Sequence, residues 1–144
     1  MTVSATISSN TASADMYHKA QLHISQTDAP TLKNTAGAVT YTAADVIGGL
    51  IVRDPNGASR TDVLPTAALL IAALVDERVG DTFIVRVMNA ADANETITIT
   101  AGSGGAFDTN ITATAKIIAQ DGKKEVIIRL TNVTAGSEAY VCYM

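Results

Sequence analysis

Two histidines, one cysteine, a pair of adjacent carboxylates and a glycine-rich pentapeptide are the residues whose types suit chemistry in this sequence. His18 and His23 stand near Asp15 and Asp28. These donor types suit a metal ion, but a site needs a further ligand and a rigid frame. The Ser- and Thr-rich chain around them offers no frame, so no metal is expected. Serines and aspartates are plentiful enough for a Ser-His-Asp arrangement, yet no G-x-S-x-G elbow accompanies them. Ala101-Gly102-Ser103-Gly104-Gly105 is followed by a Thr-rich β segment and not by a helix. It therefore lacks the strand–turn–helix context of a dinucleotide-binding loop. Asp76 and Glu77 follow an apolar helix-like run and read as its solvated end. Cys142 is the single cysteine, which excludes an internal disulfide and a cysteine-cluster metal site. It reads as a small buried hydrophobe in the last strand. The N-x-T triplets at Asn94, Asn110 and Asn132 read as chance matches in a chain rich in Asn and Thr. Lys123 and Lys124 read as a solubilising hairpin tip. No catalytic, cofactor-binding or metal-binding residue is assigned, and the chain is not expected to be an enzyme.

Composition narrows the partners. The chain has 144 residues, the size of one ordinary domain. A net charge of -4 gives no basic face to follow a phosphate backbone, so nucleic acid is not an expected partner. Hydrophobic residues make up 47%, but aromatics only 4%, with no Trp. The apolar content is therefore aliphatic, which suits thin strands better than a ring-lined pocket. The N-terminus shows neither a basic nor an apolar signal region, so no secretory leader is expected. The longest apolar run, Ala67 to Val75, falls well short of the ~20 residues that span a bilayer. A membrane is not an expected partner, and synthesis in a reducing cytoplasm is expected.

The elements that must position any site begin after a distinct N-terminal stretch. Residues 1–38 carry few large apolar side chains, and only Ala20 to Ser25 alternate like a strand. Such a stretch buries too little to hold itself together, which predicts an extended arm, either loose or ordered against another surface. Residues 39–144 read as a β domain. Strands are predicted around Val39 to Thr42, Leu50 to Arg53, Thr82 to Met88, Glu95 to Thr100, Ile111 to Ala119, Lys124 to Thr131 and Glu138 to Tyr143. Phe83, Val85 and Val87 share one face of their strand, and Ile97 and Ile99 point inward from theirs. Gly48-Gly49 marks a bulge or close approach. Asp54-Pro55-Asn56-Gly57 is a turn, and Asp121-Gly122 belongs to a hairpin. Pro65 suits the first position of a helix running to Val75. Apolar residues lie on every side of that helix, which predicts that it is buried all round. Short strands at regular spacing predict a mainly β fold, an antiparallel β-sandwich or small jelly-roll-like barrel, with one short buried helix.

One pattern in these elements resembles a known family. It runs R-T-D-V-L-P-T-A-A-L-L-I-A-A-L, then V-G-D-T-F-I-V-R-V-M-N, then T-I-T-I-T-A-G-S-G, and lastly I-I-R-L-T-N-V-T-A-G-S-E-A-Y-V. Its most specific pieces are Leu64-Pro65-Thr66-Ala67-Ala68, Gly80-Asp81-Thr82-Phe83 and Leu130-Thr131-Asn132-Val133-Thr134. Over roughly residues 46–144 the order resembles a module of virion surface proteins in tailed bacteriophages and some large DNA viruses. These include capsid decoration (cement) proteins and domains of tail fibres or spikes. Ala101-Gly102-Ser103-Gly104-Gly105 departs mildly from the A-G-T-G-V common in the family. The resemblance implies a β-sandwich that assembles as a homotrimer. It implies a structural protein on the capsid surface of the virion, bound to the lattice of the major capsid protein. A tail-fibre, knob or spike component that touches the host surface is the alternative. No cofactor is implied.

Overall fold

The computed structural model describes residues 29–144. Over these residues the protein is mainly β, with two sheets enclosing one core. In chain order, strand β1 is Thr31–Asn34, helix α1 Ala43–Ile47, β2 Leu50–Asp54 and β3 Arg60–Val63. Helix α2 is Ala67–Ala72, followed by β4 Thr82–Asn89, β5 Ile97–Thr100 and β6 Gly105–Phe107. A 3-10 turn at Thr114–Lys116 leads into β7 Ile117–Ile118, then β8 Lys123–Asn132 and β9 Ala139–Tyr143. The larger sheet is ordered β1-β2-β4-β8-β9-β6, and the smaller one β3-β5-β7.

Alternation in β4 explains why it lies centrally. Phe83, Val85 and Val87 are buried while Ile84, Arg86 and Met88 face out. Val126, Ile128 and Leu130 of β8 and Tyr140 and Cys142 of β9 continue the inner face. Ile97, Ile99 and Ile118 meet them from the smaller sheet. Inward and outward residues thus follow the period of two that a strand imposes.

Pairing is mixed, where the sequence pattern predicts antiparallel strands. β4–β8, β8–β9 and β5–β7 are antiparallel, but β1–β2, β2–β4, β3–β5 and β6–β9 are parallel. Parallel partners need a crossover between them. Here the crossovers are α1 between β1 and β2, and the β3–α2 passage between β2 and β4. The turn at Asp121-Gly122 forms, with Asp121 at φ 57°. It is not a hairpin: it carries the chain from β7 in the small sheet to β8 in the large one.

Several other expectations need correction. The segment Val39 to Thr42 makes only an isolated bridge, Thr40 to Val63. Thr42 is instead the N-cap of α1, accepting from Asp45 N–H while the Asp45 carboxylate accepts from Thr42 N–H. This reciprocal pair is a capping box. Gly48 caps the end of that helix. Thr66 is the N-cap of α2 and Ala67 its first residue, so Pro65 precedes the cap and does not take the first helical position. Only one side of α2 is buried: Leu70 and Ile71 are inside, whereas Leu69 is 63% exposed. Most of the predicted strand Ile111 to Ala119 is the 3-10 turn and a preceding loop, and a short strand, β6, starts at the last glycine of the glycine-rich stretch.

The expected arm, residues 1–38, divides. The strand-like Ala20 to Ser25 falls outside the described residues. Thr31–Asn34, however, is hydrogen-bonded into the large sheet as its edge strand. The β domain therefore begins before residue 39.

Candidate functional site

The residues that suit chemistry by type lie in separate places. His18 and His23 fall outside the described residues. Cys142 is fully buried in β9, and burial pushes its thiol up to about 12. A thiol so raised is inert near neutrality. The glycine-rich loop is a packing device. A Cβ on Gly102 would meet the Leu64 carbonyl at 2.4 Å, and one on Gly105 the Tyr140 ring at 2.1 Å. Tyr140 Oη donates to the Pro65 carbonyl at 2.9 Å and accepts from Gly102 N–H at 3.1 Å. Burial raises this phenol to about 12. Asp76 turns the chain after α2 at φ 55°. Lys124 is no free tip, since its Nζ donates to the Ala115 carbonyl.

Two polar clusters among the described residues, one fully buried and one partly so, were not singled out as sites from the sequence. The first centres on Arg53 and Asp62, both fully buried. Alternation places Arg53 on the inward face of β2 beside Ile51. Its Nε donates to Asp62 Oδ2 at 2.8 Å. Its Nη1 donates to the carbonyls of Thr35 at 2.9 Å, Lys33 and Asp54, and its Nη2 to that of Gly37. Asp62 also accepts from Tyr41 Oη at 2.8 Å and from Val39 N–H at 2.9 Å. Burial beside this carboxylate drives the Tyr41 phenol far above its ordinary range. Every group is satisfied and none reaches solvent. The cluster pins residues 33–41 to the core.

The second cluster lies where β2 and β4 end. Asp54, Asp92 and Glu95 bring one carboxylate oxygen each within 4.8 Å of one another. Asp54 closes β2, and its Oδ1 accepts from Asn56 N–H at 2.9 Å in the Asp-Pro-Asn-Gly turn. Asp92 and Glu95 sit in the loop after β4. Buried Asn89 braces that loop, donating to the carbonyls of Glu95 at 2.9 Å and Ile118 at 3.1 Å and accepting from Ala91 N–H at 3.1 Å. Ala90 N–H donates to the Arg53 carbonyl at 2.8 Å, fastening the loop to β2. Glu95 is only 6% exposed, and its Oε2 has no hydrogen-bond partner among the described residues. One signal for this was in the sequence. Ile97 and Ile99 point inward, so the same parity aims Glu95 inward too, an acid where an aliphatic residue is the norm. Asp54 is remote in sequence and gave no such signal.

The outer face of the large sheet is the third surface of note. Cross-strand register sets Leu32 beside Val52 and Val52 beside Met88. It also sets Ile84 beside Ile127 and Ile127 beside Tyr143. Leu32 is 72% exposed, and Ile84 and Met88 each 41%. Between the two apolar rows, Arg86 Nε meets Glu125 Oε1 at 2.7 Å. No helix among the described residues is long and apolar enough to cross a membrane. Compared with protein-family models, with curated proteins and with solved structures, the chain matches none.

Proposed function

We propose that the protein is a structural virion component that decorates and stabilises a phage capsid, bound as a homotrimer to the lattice of the major capsid protein. The sequence resemblance suggests the role. The observation that carries it is the outer face of the large sheet. Two short apolar rows, Leu32-Val52-Met88 and Ile84-Ile127-Tyr143, set among the charged side chains of Lys123, Arg86, Glu125 and Arg129, suit a partner surface that is broad, flat and partly polar. Among the described residues β1 is the edge of the same sheet, and exposed edges are usually covered by a neighbour.

The test is the position of this chain in a reconstruction of intact particles. Density at three-fold positions of the head supports decoration. Density at the tail or at one vertex overturns it in favour of the fibre or spike alternative. Light scattering on the purified chain gives a second readout: a trimer is expected at micromolar concentration, and a monomer there counts against the assembly. Met88→Glu combined with Ile84→Glu places charge on the face while leaving the core untouched. This variant is expected to unfold like the parent and to lose occupancy on particles.

A further inference from the structure

We propose that Asp54, Asp92 and Glu95 form a binding site for a hard divalent cation, calcium by preference. Three carboxylates converge there from two separate segments, the end of β2 and the braced loop after β4. None of the three forms an ion pair among the described residues. Glu95 supplies the independent sign of a ligand. Its carboxylate is nine-tenths buried, is directed into the cluster, and keeps an oxygen without a hydrogen-bond partner. A buried carboxylate in that condition is costly unless a cation or a proton neutralises it.

Geometry favours a cation of calcium's size. Oxygen ligands lie about 2.3–2.6 Å from calcium, so two on opposite sides stand up to about 5 Å apart. The separations in the cluster fall within that span. Magnesium demands shorter, near-octahedral contacts and keeps most of its water. Here Glu95 and Asp54 are fixed by the loop and the turn, and cannot close in easily. Asp92 is exposed and leaves the site open to solvent, so water completes the shell. All-oxygen donors without His or Cys also argue against zinc and copper. A bound ion would clamp the loop after β4 onto the end of β2, next to the Arg53 backbone that already holds Ala90.

The test uses the full chain after treatment with EDTA and exhaustive dialysis. Calorimetric titration with calcium chloride is expected to show one site per chain, and thermal unfolding to shift upward in calcium over EDTA. Glu95→Gln keeps the shape and removes the charge; it is expected to weaken binding by about tenfold or more, since affinity follows the number of charged ligands. Asp92→Asn, at an exposed position that carries no fold, is expected to weaken binding as well, and keeps the test open if the first variant unfolds. No heat with calcium together with identical melting in calcium and EDTA would overturn the proposal. Binding that persists unchanged in both variants would place the ion elsewhere and overturn it equally. An equal response to magnesium chloride would overturn the preference for calcium. None of these readouts depends on capsid attachment.

Discussion

At the scale of single residues, the structure turns on a few side chains whose surroundings leave no slack. Gly105 lies against the Tyr140 ring, so Gly105→Ala must displace β9 or the ring. Overpacking of this kind costs about 1–3 kcal/mol, which chemical denaturation of the variant measures against the parent. The Arg53–Asp62 pair is a sharper case. Removing one partner of a buried, hydrogen-bonded pair strands the other charge and costs about 3–5 kcal/mol. Asp62→Ala is therefore expected to lose far more stability than Glu125→Ala, whose exposed ion pair with Arg86 contributes at most about 1 kcal/mol. Equal losses in the two variants would contradict this ranking. Asp45 connects residue chemistry to pH. Burial pulls its carboxyl up, but Thr42 N–H and the Lys33 ammonium at 3.0 Å outweigh that and hold it below its ordinary value. A group depressed in the folded state stabilises above its unfolded value, about 3.9 for Asp. That contribution is lost as pH falls through the lower folded value. Asp45→Asn is thus expected to be less stable than the parent at neutral pH, with the gap narrowing on acidification below about pH 4.

The elements show what a sequence pattern carries and what it omits. Alternation in Thr82–Asn89 and in Ile97–Thr100 was readable because a strand with one buried face writes its orientation every second residue. The same alternation is indifferent to whether the neighbour runs parallel or antiparallel. Mixed pairing was therefore invisible, and so was the passage of the Asp121-Gly122 turn between sheets. The run Ala67 to Val75 misled in another way. Apolar side chains all round predict burial all round, yet α2 is short and lies with Leu70 and Ile71 inward and Leu69 outward. The capping box of α1 was hidden inside a stretch whose Val39, Tyr41 and Thr42 are good strand formers. The acidic cluster was half legible, through the parity of Glu95, and half not, because Asp54 reaches it only through the fold. For α2 the geometry makes a direct prediction. Leu70→Asp places an unpaired charge in the core at a cost of several kcal/mol and is expected to abolish folding. Leu69→Asp, one residue earlier, is expected to stay within about 0.5 kcal/mol of the parent. Comparable damage from both would mean that the helix is enclosed on both sides.

For the whole molecule, the consequential question is where the folded unit starts. The sequence places a boundary at residue 38, because 1–38 has few large apolar side chains while the β pattern starts at Val39. Burial by apolar side chains is the wrong measure for this junction. What joins residues 31–38 to the rest is largely backbone: β1 pairs with β2 from Thr31 to Asn34, and the carbonyls of Lys33, Thr35 and Gly37 receive the Arg53 guanidinium. A chain beginning at residue 39 would keep Arg53 and Asp62 in place but take away three of the guanidinium's acceptors. It would also expose the edge of β2 and remove the Lys33 partner of Asp45. Each loss strikes a buried or half-buried polar group, and unsatisfied groups of that kind cost about 1–3 kcal/mol apiece, more when charged. A chain beginning at residue 29 retains all of these contacts. Urea unfolding of the two truncations is therefore expected to separate them: the longer with a midpoint near that of the full chain, the shorter strongly destabilised or unable to fold. If instead the chain from 39 unfolds cooperatively at the parent's midpoint, the Arg53 anchorage contributes nothing and the boundary returns to residue 38. The same pair of proteins probes the capsid role. A folded chain from residue 29 that still saturates particles would leave attachment to the β domain and its outer sheet face, whereas a folded chain that no longer binds would assign attachment to the first 28 residues.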